Sequence, residues 1–195
     1  LALMRRLVAA LESGQLIVDV EMSDEERTLI RGFQFLSAKP AMVVVNEDEA
    51  AAERDLSWTN HHRQTDALAL KGALEMEIAQ LPPEEMSAFL ASYGITEPGL
   101  SLMVRRCYAL LGVMSFFTVG EDEVRAWTVR RGATAMEAAG AIHSDFERGF
   151  IRAEVISYED MIACGTLAEA RKRGKLRLEG RDYAVQDGDI LNIRF

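Results

Sequence analysis

An amide and two carboxylate side chains follow directly after a continuous apolar run. The run is AMVVV, residues 41–45, and Asn46, Glu47 and Glu49 come next. In open α/β sheets, ligands bind beyond the carboxyl ends of the strands, and amides and carboxylates recognise the polar edges of a ligand by hydrogen bonding. These three side chains are therefore a candidate site, although such a pattern taken alone is more typical of an ordinary acidic loop.

Two histidine motifs invite a catalytic or metal interpretation that geometry disfavours. Adjacent residues of an extended segment point to opposite sides, so His143, Ser144 and Asp145 do not align as the base, nucleophile and orienting group of a triad. We expect a structural role for them. The pair His61-His62 fails as a metal site for the same reason and is expected in a solvated loop. We predict no catalytic residue and no metal ligand.

A dense basic cluster stands out because the chain as a whole is acidic, with a formal net charge of −9. That charge argues against a protein whose whole surface binds nucleic acid, but it leaves room for a local contact. The cluster consists of Arg171, Lys172, Arg173 and Lys175. Two interpretations stay open: cations that favour a helix C-terminus, and a contact with RNA phosphates.

The first half of the sequence predicts helices and two strands, the second strand more weakly than the first. Leu3, Leu7 and Leu11 predict an amphipathic first helix, and Ser23 with Glu26 predicts a capping box at the second. Strands are predicted at residues 41–45, buried on both faces, and 66–71. Further helices follow from residues 72, 83 and 97. In the helix that begins at Ser23, one apolar face is expected to hold Leu29, Ile30, Phe33 and Leu36. In the helix that begins at residue 97, one apolar face is expected to hold Leu100, Met103, Val104, Cys107 and Leu111.

The second half changes to strand signals. Residues 114–119 and 123–130 predict a hairpin, a short helix follows at residues 136–141, and a strand at 151–156. Residues 167–173 are helical, and short strands are predicted at 176–178, 183–185 and 190–195. A small mixed sheet wrapped on a helix, of the β-grasp kind, fits this order, with Phe116, Phe117 and Trp127 mostly in the core.

Composition limits the setting of the protein. No apolar run approaches the ~20 residues that span a bilayer, so we expect no membrane contact. Cys107 and Cys164 are far apart, which predicts buried thiols in a reducing compartment and a cytoplasmic protein. The chain begins with Leu rather than Met, and we interpret it as a partial sequence.

One stretch carries a family resemblance. The run GATAMEAAGAIHSDFERGFIRAEV, residues 132–155, resembles the C-terminal TGS region of the YchF-type, Obg-like P-loop ATPases. The resemblance continues through EGRDYAVQDGDI, residues 179–190, to Phe195. It extends backward through residues 125–128 and 116–118 to Lys39-Pro40 and Asn46. It therefore covers most of the chain and is most specific near its end.

The resemblance implies the fold class and three parts. The expected fold is α/β, the C-terminal half of a P-loop nucleotide-binding domain with helical segments, followed by an α+β β-grasp (TGS) domain. Residues 1–37 are then the end of a helical insertion, residues 38–112 the C-terminal part of the P-loop domain, and residues 113–195 the TGS domain. We expect the part from about Met114 onward to fold alone.

The resemblance also implies what the candidate site binds. GTPases carry Asn-Lys-x-Asp at this position, whereas the YchF type carries Asn-x-x-Glu, which implies preference for adenine. On this basis Asn46, Glu47 and Glu49 bind the base. Gly72 and Ala73 lie where the family lines the base with backbone groups, although the plain beginning of a helix explains them equally well.

The implied activity of the complete protein is ATP binding and hydrolysis with Mg²⁺, in association with the ribosome or its RNA. No G-x-x-x-x-G-K-[ST] phosphate loop occurs in these 195 residues. Positioning by that loop and the metal is most of phosphoryl-transfer catalysis, so we predict no ATPase activity for this chain alone. A stand-alone TGS-type module that binds RNA or the ribosome without nucleotide chemistry is the alternative.

Overall fold

The computed structural model describes residues 1–48, 50, 55–57, 62–120 and 123–195. The chain divides into two compact units, Leu1–Leu111 and Gly112–Phe195. Helices and a short parallel sheet make up the first unit. The second contains a five-stranded mixed sheet together with helices. The two units are described in turn.

The α-helices and strands described in the first unit are two helices, then two strands, then three helices. In chain order they are α1 (Ala2–Glu12), α2 (Asp24–Ile30), β1 (Ala41–Asn46), β2 (Thr65–Leu70), α3 (Gly72–Ile78), α4 (Pro83–Ser92) and α5 (Gly99–Leu111). The predicted amphipathic first helix is confirmed, since Leu7 and Ala10 are buried against Ile17, Val20 and Ile30.

The predicted capping box of α2 is confirmed. The Ser23 hydroxyl accepts from the Glu26 N–H, and the Ser23 N–H donates to the Glu26 carboxylate at 3.2 Å. These two bonds satisfy groups that an α-helix leaves open at its first turn. The boundary is therefore set by local side chains, which explains why the sequence revealed it.

The predicted apolar face of α2 is wrong beyond Ile30. The helix ends there, and two 3₁₀ turns follow, separated by Gln34 in the left-handed region at φ 54°. Because the 3.6-residue period stops, Leu29, Phe33 and Leu36 do not share a buried face and are 59–83% exposed. Only Ile30 reaches the core, where it is 6% exposed.

Strands β1 and β2 pair in parallel, in register from Ala41 opposite Thr65 to Asn46 opposite Leu70. This confirms both strand predictions within one residue. The expected burial of β1 on both faces is wrong, because Val44 is 46% exposed. Among the described residues β2 is the strand that pairs with β1, and it lies beside β1 rather than over either of its faces. An apolar run indicates that a strand favours burial, but in a two-stranded sheet much of its surface stays exposed.

The predicted apolar face of α5 is also wrong. Leu100, Val104 and Leu111 are 48–65% exposed. The helix is instead tied to β2 by a polar contact, since the Arg106 guanidinium donates to the Ala67 carbonyl at 2.6 Å. This contact selects a different side of the helix from the one that the apolar spacing indicated.

The described elements of the second unit begin with a hairpin and end on a strand that enters the middle of the sheet. They are β3 (Val113–Val119), β4 (Val124–Arg130), α6 (Ala135–Ile142), α7 (Ser144–Arg148), β5 (Arg152–Ser157), α8 (Tyr158–Cys164), α9 (Leu167–Lys172), β6 (Arg177–Glu179) and β7 (Asp189–Arg194). The strand order is β4-β3-β7-β5-β6.

Apolar side chains cover both faces of this sheet. On one face Phe116, Val155 and Leu191 pack with Ala138 and Phe150. On the other face Phe117, Ile156 and Ile190 pack with residues of α8 and α9. Because successive strand residues alternate between faces, neighbours such as Val155 and Ile156 feed the two opposite cores.

Three local predictions for this unit are corrected. Residues 183–185 form a single bridge between Ala184 and Thr134 rather than a strand, because Tyr183 and the following residues instead serve the turn around Asp189. Helix α8 was not predicted, although Ser157 caps it by accepting from the Asp160 N–H. Helix α7 replaces the extended segment expected after His143.

Candidate functional site

The carboxyl ends of β1 and β2 lie side by side, and an asparagine joins the two loops that leave them. The Asn46 side-chain oxygen accepts from the Gly72 N–H at 3.0 Å. One residue further on, the Glu47 N–H donates to the Leu70 carbonyl at 2.8 Å. Parallel pairing thus brings together two segments that lie 26 residues apart in sequence.

Glycine at position 72 lets the Asn46 side chain approach this closely. A Cβ atom placed there would lie 2.6 Å from the Asn46 side-chain oxygen, a distance that real Cβ contacts do not reach. Gly72 is also the first residue of α3, so the helix-start interpretation is confirmed, while the lining of the base by Gly72 and Ala73 stays a prediction. Ala73 is exposed beside it.

The carboxylates after β1 differ in what can be said of them. Glu47 is half-buried, and its backbone is fixed by the bond to Leu70. Glu49 lies outside the described residues, so its predicted contact with the base stays a prediction. Asn46 is therefore the described side chain on which the geometry of this site depends.

A second polar contact near the site was not predicted from the sequence. Both carboxylate oxygens of Glu75 accept from the Gly99 N–H at 2.8 Å, which fixes the first residue of α5. A Cβ on Gly99 would lie 2.5 Å from the Leu70 side chain at the end of β2. A carboxylate in the first turn of α3 would have been the signal, but its partner lies 24 residues away.

Acidic partners neutralise most of the predicted basic cluster. Arg171 donates to Glu154 at 2.9 Å, and Arg173 donates to Glu169 at 2.9 Å. The Lys175 ammonium lies 3.1 Å from Asp160. Lys172 is the member of the cluster for which the described residues offer no partner. The cations are neighbours in the sequence, but in the fold three of them pair with three different carboxylates.

Comparison with known proteins gives the family. The family model YchF-GTPase_C, described as "Protein of unknown function (DUF933)", matches residues 113–195. The "Ribosome-binding ATPase YchF" of Bacillus subtilis is 42% identical over 201 aligned residues, and that of Haemophilus influenzae is 44% identical over 201. The alignments cover 99% and 100% of this chain. The chain belongs to the YchF family.

The structural comparison agrees. The solved structure of the Schizosaccharomyces pombe YchF GTPase matches with a TM-score of 0.79 at 28% identity, over 99% of this chain and 53% of that one. The mixed α/β fold of the chain therefore resembles the C-terminal part of YchF. The chain spans 55% of the length of the curated YchF relatives named above.

Within this YchF-family chain, the His143 motif has a structural role, but not through the expected geometry. His143 is extended and stands at the N-cap of α7, where its ring Nδ1 accepts from the Asp145 N–H at 3.2 Å. The structural interpretation is confirmed. The assumption of an extended segment was wrong, because Ser144 already belongs to the helix.

His62 binds a carboxylate of the same unit. Its Nδ1 lies 2.7 Å from Asp19, which also accepts from the Arg63 N–H at 2.6 Å. These bonds, that from Arg63 first and that from His62 next, hold the pKa of Asp19 below its ordinary value. His61 lies outside the described residues. Of the pair His61-His62, the described residue His62 thus takes part in a polar contact.

The remaining candidates are quickly placed. Cys107 and Cys164 are free and half-buried rather than fully buried. Over the described ranges, no group of three or more histidine, cysteine, aspartate or glutamate side chains is placed to share a metal ion. In those same ranges no helix combines the length and the apolar composition that a bilayer crossing requires.

Proposed function

We propose that this chain supplies the base-recognition part of an adenine-nucleotide-binding domain, together with a ribosome-binding unit of the TGS type. The observation that carries the first part is the bond from Gly72 to Asn46 across the ends of two parallel strands. Ligands of open α/β sheets bind at this end of the strands. An asparagine that joins both loops is in a position to order them around a base.

The end of β1 offers hydrogen-bonding groups for a purine base. The side-chain oxygen of Asn46 is used by Gly72, which leaves its amide N–H₂ group as a donor for the N7 acceptor of a purine. A carboxylate at position 49 accepts from the exocyclic amino group of adenine. The longer glutamate replaces the aspartate that guanine recognition uses, which favours adenine over guanine.

Hydrolysis requires more than these residues offer. A phosphate loop and Mg²⁺ position the phosphates and neutralise their charge in P-loop enzymes, and these 195 residues carry no such loop. The relatives are named ribosome-binding ATPases and are longer than this chain. We therefore propose that ATP and Mg²⁺ act in a longer protein that contains this segment, and that this chain alone does not turn over ATP.

The second unit supports the proposal of a β-grasp, TGS-type domain. Its sheet begins with a hairpin, places the last strand β7 between β3 and β5, and packs α6 against one face. The match of the family model to residues 113–195 coincides with this unit. We propose that it contacts the ribosome in the cytoplasm, and contact through Arg171, Lys172, Arg173 and Lys175 stays a prediction.

Nuclear magnetic resonance of the chain tests base recognition directly. Adding ATP should shift the Gly72 amide and the Asn46 side-chain amide, and GTP at the same concentration should shift them less. Asn46→Ala should weaken ATP binding by about two- to tenfold, since one hydrogen bond contributes about 0.5–1.5 kcal/mol. Asn192→Ala, in the second unit, is the matched control and should leave the ATP response unchanged.

Base choice is tested in a longer protein that joins this segment to a phosphate loop. Glu49→Asp should move the ratio of ATP to GTP affinities toward GTP by roughly tenfold, because a good bidentate base contact discriminates by ~1–3 kcal/mol. Calorimetry of both nucleotides measures this ratio. An unchanged ratio contradicts the role of Glu49.

Co-sedimentation with ribosomes separates the two proposed functions. A chain that binds ribosomes but shows no nucleotide-dependent shift at Gly72 is the stand-alone module that was the alternative. A chain that responds to ATP but does not sediment with ribosomes contradicts the ribosome-binding part. ATP turnover by the purified chain, abolished by Asn46→Ala, contradicts the claim that it is catalytically silent.

A further inference from the structure

Two consecutive arginines stand at the end of the edge strand of the second unit, and neither pairs with a carboxylate among the described residues. Arg130 is the last residue of β4, and Arg131 follows before Gly132, which turns the chain at φ 82°. Both arginines are exposed. Among the described residues, neither guanidinium has a hydrogen-bond or ion-pair partner. This distinguishes them from the paired arginines at positions 171 and 173.

The two arginines line an open cleft of about 480 Å³ between β4 and α6. Thr128 and Ala141 lie on its walls, and Glu137 also contributes. The Glu137 carboxylate is already engaged, because it accepts from the Thr134 N–H at 2.7 Å and from the Thr134 hydroxyl at 3.1 Å. Its charge is therefore partly offset by the N-terminus of α6, while the arginines keep theirs.

A third arginine lies along the same strand. Arg125 stacks over the ring of Trp127, with 4.2 Å from its guanidinium carbon to the ring centroid, and lies 3.9 Å from Glu123. Strand β4 pairs with β3 on one side, and the described residues place no strand on the other. Arg125 is thus paired with Glu123, and five positions separate it from Arg130, so the two side chains leave opposite faces of the sheet. The unpaired charge on this strand edge lies at its end, on Arg130 and Arg131.

We propose that this β4 edge, defined as Arg130, Arg131 and the adjoining cleft, binds the phosphate backbone of RNA. The inference rests on the proposed ribosome binding and names the surface for it. A guanidinium binds a phosphate through two parallel N–H bonds. Since the chain carries a net charge of −9, a polyanion can approach closely only where cations are not already neutralised, and the β4 edge meets that condition better than the 171–175 cluster.

The test measures binding of the intact chain to a labelled single-stranded RNA oligonucleotide by fluorescence anisotropy, and to ribosomes by co-sedimentation. The variant is Arg130→Gln with Arg131→Gln. The control, Arg5→Gln with Arg148→Gln, removes the same two charges from α1 and α7. The arginine pair of the β4 edge should cost at least about tenfold in RNA affinity, while the control changes it little.

A second readout excludes a merely structural effect. Each phosphate contact on a single strand adds about 0.7 to the slope of log affinity against log salt, so losing two contacts should lower that slope by about 1.4. Circular dichroism should show an unchanged fold in both variants. A destabilised fold without the change of slope overturns the proposal.

The remaining outcomes are separable. If the wild-type chain binds RNA and the β4-edge variant binds like the control, the surface is wrong while ribosome binding stands. If the variant loses ribosomes but the wild type never binds the oligonucleotide, the edge contacts a protein, and the RNA assignment is overturned. If the wild type binds neither, the proposed ribosome function itself fails, and the inference fails with it.

Discussion

The two sheets of this chain hold their candidate sites by different means. In the first unit, a pair of parallel strands leaves Val44 46% exposed, and polar bonds organise the loops at its carboxyl end. In the second unit, a five-stranded sheet is packed on both faces, and the candidate RNA surface lies on its open edge. The first site is therefore organised by hydrogen bonds between loops, and the second lies on the edge of a sheet that is packed on both faces.

Because the two sheets are stabilised differently, each unit should be sensitive to a different kind of substitution. Loss of apolar contact should matter most in the five-stranded sheet, where Phe116 and Val155 have no exposed surface. Loss of a single carboxylate should matter in the first unit, where Glu75 fixes the start of α5 from a distance. The contrast would be contradicted if loss of apolar contacts destabilised the first unit more than the second.

The largest effect is expected when the same substitution is made in both sheets. Val155→Ala removes two methyl groups from a fully buried position on β5 and should lower the free energy of unfolding of the second unit by about 2–3 kcal/mol. Val44→Ala, on the half-covered β1, should cost less than about 1 kcal/mol. Urea unfolding followed by circular dichroism measures both.

Equal costs for the two valines would contradict the comparison. A large cost at Val44 would mean that β1 is covered in solution by something beyond the described residues. A small cost at Val155 would mean that the core around Ala153 and Leu191 repacks freely, which the close packing of protein interiors disfavours.

A smaller effect is expected from two glutamates of the same helix. Glu75→Ala removes the acceptor of the Gly99 N–H and should lower the free energy of unfolding of the first unit by about 1.5–3 kcal/mol, the range for hydrogen bonds to charged groups. Glu77→Ala, an exposed position two residues later on α3, is the control and should stay within about 0.5 kcal/mol. The urea midpoint of each variant gives the comparison.

Protection of the Gly99 amide from hydrogen exchange sharpens the second test. It should fall in Glu75→Ala and stay unchanged in Glu77→Ala, because only the first residue bonds that amide. Equal protection in both variants would show that α5 keeps its start without the carboxylate.

Features set by neighbouring residues were predictable from the sequence. The capping box of Ser23 and Glu26 depends on residues three apart, and the strands 41–46 and 65–70 were marked by their own apolar content. The position of Asn46 at a strand end also followed from the sequence, because a polar loop begins where the apolar run stops.

Features set by distant partners were not predictable in the same way. Nothing near Arg171 indicated that Glu154 would neutralise it, and nothing near Gly99 indicated Glu75. The exposed faces of α2 and α5 were missed for a related reason: apolar spacing identifies a stripe, while the elements that cover it decide its burial. The β4 edge became visible only once the partners of every arginine in the described residues were known.

The smallest effect is a loss of stability in acid. It should depend on Asp19 in the first unit and on Glu137 in the second. Bonds from Arg63 and then His62 lower the pKa of Asp19 below 3.8, and bonds from Thr134 lower the pKa of Glu137 below 4.5. A lowered pKa means that the stabilisation is complete above the ordinary value and is lost as the pH falls through the lowered one. Urea midpoints measured down through this range should therefore fall. Asp19→Asn should flatten the fall in the first unit alone, and Glu137→Gln in the second alone. If either variant leaves the acid profile of its own unit unchanged, its carboxylate does not stabilise that unit through these bonds.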